Sequence, residues 1–310
     1  MTRARVILAL RILGTAAGVA WILARVDVGA AQGALARIPA TAAIGAVGLV
    51  ALNVVVGAVR WQALLRAYGA ARIPALRELV RLYFVAFFYN NYLPGAVAGD
   101  VARGVVTRDS FDEGATGALA VVLVERALGL FALFALLALG LGLSAGALDA
   151  GSLWAWTAIG GAGSAAIVIA IPFARRIGPR LPGPLAAIAG KLPRLHAGRP
   201  FAVAVGLSLA TQICIALAGW LLLAALAPIS LAGSLLVVPL AAATAFLPIT
   251  VGGAGAREAV YVALCGRLFG MPEADALAAS LALWLAHLVV AGAGGLAQVV
   301  TRRARRAESQ

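Results

Sequence analysis

Runs of about twenty apolar residues recur along this chain, and a run of that length crosses the hydrocarbon core of a bilayer as one helix. They lie at about 6–24, 41–59, 115–142, 153–172, 201–226 and 276–300. Lipid offers the backbone no water, so such a run must satisfy its own hydrogen bonds, which a helix does within the segment. The fold class that follows is all-α, a polytopic helical membrane bundle. Only 12% of the 310 residues are charged, where a soluble protein carries about a quarter. No stretch outside the apolar runs is long enough to build a soluble core. Residues 1–310 therefore read as one integral membrane domain.

Two stretches break the pattern. They are YNNYLPGAVAGDVAR at 89–103 and LPITVGGAGARE at 247–258. Aligned on Pro94 and Pro248, they match at Leu93 and Leu247, Val97 and Val251, Gly99 and Gly253, Ala102 and Ala256, and Arg103 and Arg257. Proline removes a backbone donor and clashes with the preceding turn. Glycine weakens a helix and admits positive φ. Pro94, Gly95 and Gly99 in one copy, and Pro248, Gly252, Gly253 and Gly255 in the other, therefore mark helices that stop and restart near the arginine. The predicted elements are two broken, re-entrant-type hairpins at about 79–109 and 233–269. Interrupted segments at matching places in two halves point to a transporter's binding site.

Basic residues assign sides. Arg3, Arg5 and Arg11, then Arg60, Arg66, Arg72, Arg77, Arg81 and Arg108, fall on one face. So do Arg175, Arg176, Arg180, Lys191, Arg194 and Arg199 of the polar 173–200 loop, and Arg302, Arg303, Arg305 and Arg306 of the tail. Only Arg25, Arg37 and Arg267 fall on the other. Cytoplasmic loops hold the excess of Lys and Arg, so both termini and the 173–200 loop are expected in the cytoplasm. Arg11 and the length of the first run read as a retained anchor rather than a cleaved signal. On this assignment the two hairpins enter from opposite faces, an inverted-topology repeat. The net charge of +13 is then flanking charge facing anionic lipid, not a nucleic-acid footprint.

A charge at membrane depth costs about 2.5–3.5 kcal/mol on insertion scales and is functional by default. The chain keeps Asp100, Arg103, Glu125, Arg126, Arg257 and Glu258 there. Asp100 and Arg103 share a helix face at i,i+3. Glu125 is expected to pair across the hairpins with Arg103 or Arg257, and Asp100 is an alternative N-cap for its half-helix. Arginine offers a planar fork to phosphate, and half-helix N-termini add backbone donors for an anion. These six, with Asn91, form the candidate substrate-binding set. Asn90 and Asn91 also suit the backbone groups freed at the first break. Asn53, Gln212 and Gln298 suit interhelix hydrogen bonds, and His287 suits packing. Gly14 and Gly18 give a small-residue face.

No catalytic residue, metal site or cofactor is expected. GGAGARE has no strand–helix unit around it, and Walker A, HExxH and GxSxG are all missing. His196 has no second ligand near it in sequence. Cys214 and Cys265 sit in apolar surroundings and read as buried small hydrophobes.

At these same residues the chain resembles the transmembrane domain of lysylphosphatidylglycerol synthases. The pattern runs Asn53, Arg60-Trp61, Leu64-Leu65, then Asn90-Asn91-x-Leu-Pro-Gly-x3-Gly-Asp-x2-Arg103, Glu125-Arg126, and Leu247-Pro248-x3-Gly-Gly-x-Gly-x-Arg-Glu258. It departs from the family's usual pattern at Ala98 and Gly129. Stand-alone members are called flippase-like. The resemblance implies a bacterial inner-membrane protein of about eight transmembrane segments that moves a lipid across the bilayer. It also implies that aminoacyl transfer belongs to a separate cytoplasmic domain, which this sequence, ending at Gln310, is expected to lack.

The leading expectation is thus a lipid flippase for an anionic phospho- or polyprenyl-linked head group. The runner-up is a membrane-embedded transferase with Asp100 or Glu125 as general base. A third reading is a membrane subunit that recruits a soluble lipid-modifying enzyme or glycosyltransferase through 173–200. None involves nucleic acid.

Overall fold

The computed structural model describes residues 3–93, 98–144, 151–180, 183–246 and 253–308. Among these the chain is a helical bundle without strands. In order come α1 (Arg3–Arg25), α2 (Val28–Arg37), α3 (Ala40–Ala67), α4 (Leu76–Tyr92) and α5 (Ala98–Val106). Then follow α6 (Gly114–Leu143), α7 (Gly151–Ala170), α8 (Ala174–Ile177) and α9 (Gly183–Lys191). The last four are α10 (Gly198–Ala224), α11 (Leu231–Ala243), α12 (Ala256–Phe269) and α13 (Glu273–Glu308).

Among the described residues four helices are long and apolar enough to cross a membrane: α3, α6, α10 and residues 273–299 of α13. The 12–25 part of α1 and α2 make a fifth if their 86° bend is one broken span. The bend has a local cause. Asp27 Oδ1 accepts from the Gly29 and Ala30 N–H groups at 2.7 and 3.2 Å, which caps a new helix, α2, directly after α1. The eight segments that the motif pattern implies are therefore not eight long helices. The broken hairpins supply shorter limbs: α5 has 9 residues and α12 has 14. At 1.5 Å per residue, α5 covers roughly half of a 30 Å core.

Two large apolar clusters form the interior. One joins α1, α3, α10, α11, α12 and α13 around Val50, Leu222, Val238 and Tyr261. The other joins α3, α4, α6 and α10 around Trp61, Leu64, Leu79 and Leu128. Large apolar side chains such as Leu13, Ile44, Ile159, Ile169, Val289 and Leu296 stay exposed on the outside, where the bilayer lies. Between apolar helices in lipid, close packing replaces the hydrophobic driving force. Glycines provide it: a Cβ on Gly18 would fall 2.9 Å from Gly255 Cα, so α1 crosses the start of α12 backbone to backbone.

The basic residues are shared unequally between the two ends. At one end Ala71 N–H donates to Ser110 O at 2.9 Å and His196 N–H to Ala67 O at 2.8 Å, gathering the segments that carry Arg72, Arg108, Arg194 and Arg199. At the other end Arg25 pairs with Glu273 at 3.6 Å and Arg37 pairs with Asp275, so acids at the start of α13 meet the few arginines there. The limbs α4 and α5 begin and finish near the basic end, and α11 and α12 near the other.

Two expectations change. Trp61, which beside Arg60 at the end of an apolar run would suit a membrane interface, is fully buried, because α3 continues through Arg60 to Ala67. The described parts of 173–200 are not an open loop. They hold the short helices α8 and α9 and 3₁₀ turns at Ile171–Phe173 and Gly178–Arg180.

Candidate functional site

The first break places its own polar groups. Asn90, near the end of α4, accepts from the Gly99 N–H at 2.8 Å and so satisfies the start of α5. Asp100 is therefore not the cap; its carboxylate is occupied by arginines. Asn91 Nδ2 donates to Phe87 O at 2.8 Å within its own helix. Gly99 is needed for steric reasons: a Cβ there would sit 1.9 Å from Ala86 O, so α5 lies directly on the backbone of α4. Pro94, Gly95, Pro248 and Gly252 fall outside the described residues.

Behind that break lies a buried ion cluster. Arg103 donates to Asp100 Oδ1 at 2.6 Å and to Glu125 Oε2 at 2.8 Å. Its guanidinium also lies 4.2 Å from the Tyr83 ring centroid and 5.1 Å from that of Trp61. Glu125, in the middle of α6, further accepts from Arg60 Nη2 at 2.6 Å and from the Tyr83 hydroxyl. Arg60 Nη1 reaches Thr211 Oγ1 at 3.3 Å on α10. Arg126 Nε donates to Asp100 Oδ2 at 2.7 Å. Adjacent residues on a helix point about 100° apart, which is how Glu125 takes Arg60 and Arg103 while Arg126 turns to Asp100.

The cluster forms one wall of a cavity of about 300 Å³, together with Asn53, Asn90, Gly129, Gln212 and His287. Its charged lining is three arginines and two carboxylates: Arg60, Arg103, Arg126, Asp100 and Glu125. The arginines differ in access. The side chain of Arg103 is 5% exposed and that of Arg60 13%, whereas Arg126 is 31% exposed and is the one most open to a ligand.

The second break is built differently. Gly253 and Gly255 have φ of +82° and +81°, which only glycine takes without strain. Glu258 Oε2 accepts the Gly255 N–H at 2.8 Å and its other oxygen holds Arg257. Of the cross-hairpin pairings expected for Glu125, the structure forms the one with Arg103, and Arg257 pairs with its own neighbour. Arg257 lines a second cavity of about 400 Å³ with Asn91, Thr244, Tyr261 and Trp284, whose other walls are mainly apolar. Glu258 lines neither cavity. The two cavities share Asn90, Ile215, Ala242 and His287 as a common wall, so both broken hairpins contribute to adjoining spaces.

The other polar residues take quieter places. Gln212 Nε2 donates to Gly129 O at 3.3 Å and Gln298 Nε2 to Tyr89 Oη at 2.7 Å. His287 Nδ1 bonds Leu283 O at 2.8 Å, and its ring lies 5.8 Å from that of Phe87. Cys214 and Cys265 are buried and free. Among the described residues no group of His, Cys, Asp and Glu could hold a metal ion.

Arg60 was absent from the sequence-derived set because a charge after an apolar run looks like flanking charge. A signal existed. Asn53 and Arg60 are seven apart, two turns along one face, and the apolar stripe Trp61, Leu64, Leu65, Tyr68 carries the helix beyond the charge.

The family described as "Lysylphosphatidylglycerol synthase TM region" matches residues 6–295. A search of curated proteins found no match.

Proposed function

Because the chain belongs to the lysylphosphatidylglycerol synthase transmembrane family, we propose that it is a lipid transporter of flippase type. It passes an anionic phospho- or polyprenyl-linked head group through the adjoining cavities. One observation carries this reading: three arginines face two carboxylates in a cavity at the centre of the bundle. A net positive charge away from water is costly, and a head-group phosphate entering the cavity offsets that cost.

The residues divide the work. Asp100 and Glu125 fix Arg103 and Arg60 in place. Arg126 meets the anion in the polar cavity, and Arg257, positioned by Glu258, meets it in the apolar one. Asn91 lines the second cavity beside Arg257. The limbs entering from opposite ends of the bundle act as an inverted pair, the arrangement that alternating access requires. The protein sits in a bacterial inner membrane with both termini in the cytoplasm, and its basic end gathers anionic lipid.

Reconstitution in liposomes tests the proposal. Labelled phosphatidylglycerol and a labelled polyprenyl phosphate are followed across the bilayer with wild type, Arg126→Gln and empty vesicles. Wild type moves at least one of them faster than empty vesicles, and Arg126→Gln moves it about tenfold more slowly or worse. Folded wild-type protein that moves neither lipid overturns the reading.

A further inference from the structure

We propose that the basic end of the bundle carries a second anion site, separate from the central cavities, that takes the phosphate of an anionic membrane lipid. A pocket of about 410 Å³ lies between the end of α3, the turn after α7 and residues 192–195. Its walls include Tyr68, Ile171, Pro172, Arg176, Leu192 and Arg194. None of these residues lines either central cavity.

The pocket has a donor in need of an acceptor. Tyr68 is 1% exposed, and its hydroxyl is buried with no hydrogen-bond partner among the described residues. Buried hydroxyls are ordinarily bonded, so an orphan beside a cavity points to something that fills it. Burial pushes this phenol well above its ordinary range, so it keeps its proton and remains a donor. Arg176 and Arg194 are exposed at the rim, and each can present a fork to a phosphate. Two charged forks and one neutral donor line the same pocket and supply the groups an oxyanion cradle needs.

The surroundings favour a lipid over a free phosphate. Ile171, Leu192 and Leu195 give apolar walls beside the donors, suited to a glycerol and the first acyl carbons. Ile167, Ile169 and Phe173, next to the pocket in the chain, are exposed large apolar residues on the lipid side of the bundle. A head group can therefore enter from the leaflet without leaving it. The site holds a lipid at the basic end, independent of whether the central cavity transports one.

Native mass spectrometry of the full chain in neutral detergent tests this, with phosphatidylglycerol as the probe and inorganic phosphate as competitor. Wild type, Arg126→Gln, Tyr68→Phe and the double variant Arg176→Gln/Arg194→Gln are titrated. The expected result is a lipid-binding event that Arg126→Gln retains and the double variant weakens about tenfold or more, the loss of one to two charge-assisted contacts. Tyr68→Phe, which keeps the ring and the fold, weakens it by a smaller factor. Binding that is indifferent to both sets of changes, or that vanishes in Arg126→Gln, overturns the proposal. Displacement by equimolar inorganic phosphate overturns the lipid as occupant.

Discussion

Arg103 donates to Glu125 at 2.8 Å, and this contact ties the short second limb of the first broken hairpin to the middle of α6. Both side chains are almost wholly buried, at 5% and 2% exposed. Arg103 has two carboxylates and two aromatic rings around it, and Glu125 has two arginines and a phenol. The pair sets the position of α5 and so the wall against which a ligand would rest.

Removing Glu125 should therefore damage the fold. Breaking a buried pair leaves an uncompensated charge at a cost of about 3–5 kcal/mol. Glu125→Ala leaves Arg60 without a carboxylate and Arg103 with Asp100 alone, so a large fall in thermal stability in detergent is expected. Tyr83→Phe deletes only the hydroxyl donated to Glu125 and keeps the ring over Arg103, so its loss is about 1.5–3 kcal/mol. Scanning fluorimetry on the two purified variants checks the order; equal losses would contradict it.

Arg126 should behave in the opposite way. It is the most exposed arginine of the cluster, and Asp100 keeps Arg103 when it is lost, so Arg126→Gln is expected to lower the unfolding temperature less than Arg103→Gln does while lipid movement falls about tenfold or more. Arg103→Gln should lose stability and movement together. Paired unfolding and liposome measurements separate the two, and the reverse pattern would assign the ligand contact to Arg103.

The glycines predict a contrast that composition alone does not suggest. Gly99→Ala places a Cβ 1.9 Å from Ala86 O, and overpacking costs about 1–3 kcal/mol and occasionally more. Gly255→Ala meets Gly18 Cα at 3.1 Å and adds backbone strain at φ +81°, of about 1–3 kcal/mol. Gly129→Ala, inside α6, finds its nearest neighbours at 3.9 Å, and alanine in a helix interior gains about 0.5–1 kcal/mol over glycine. Gly99→Ala and Gly255→Ala should therefore unfold at lower temperature than wild type, and Gly129→Ala at the same temperature or higher.

Much of this was legible in the chain itself. Apolar runs locate the long helices because in lipid a helix closes its own hydrogen bonds. The Pro and Gly positions locate both breaks for the same reason. Asp100, Arg103, Glu125 and Arg126 stand out because charge within an apolar run needs compensation. Pairing is harder to read, since it depends on distance across the bundle. Arg60 joins Glu125 from 65 positions away, and Arg257 turns to its own neighbour. Asn90 takes the capping role open to Asp100 because the arginines already occupy that carboxylate. Trp61 lies in the interior because α3 runs a full two turns past the point where its charges begin.

The unequal sharing of basic residues between the two ends predicts a labelling pattern. Arg72 and Arg108 lie at the basic end, and Gln32 and Arg267 at the end where Arg37 meets Asp275; all four are exposed. The native Cys214 and Cys265 are buried, so they contribute little background to a membrane-impermeant maleimide. In intact cells Gln32→Cys and Arg267→Cys should react, and Arg72→Cys and Arg108→Cys should react only after the membrane is opened. The first and second hairpins carry Arg108 and Arg267 at the ends of their second limbs. Opposite accessibility of these two positions is therefore a direct test of hairpins entering from opposite faces. A wholly reversed pattern would place the termini outside and leave the opposed hairpins standing. Equal labelling of Arg108→Cys and Arg267→Cys would remove the inverted arrangement, and with it the alternating-access route through the two cavities.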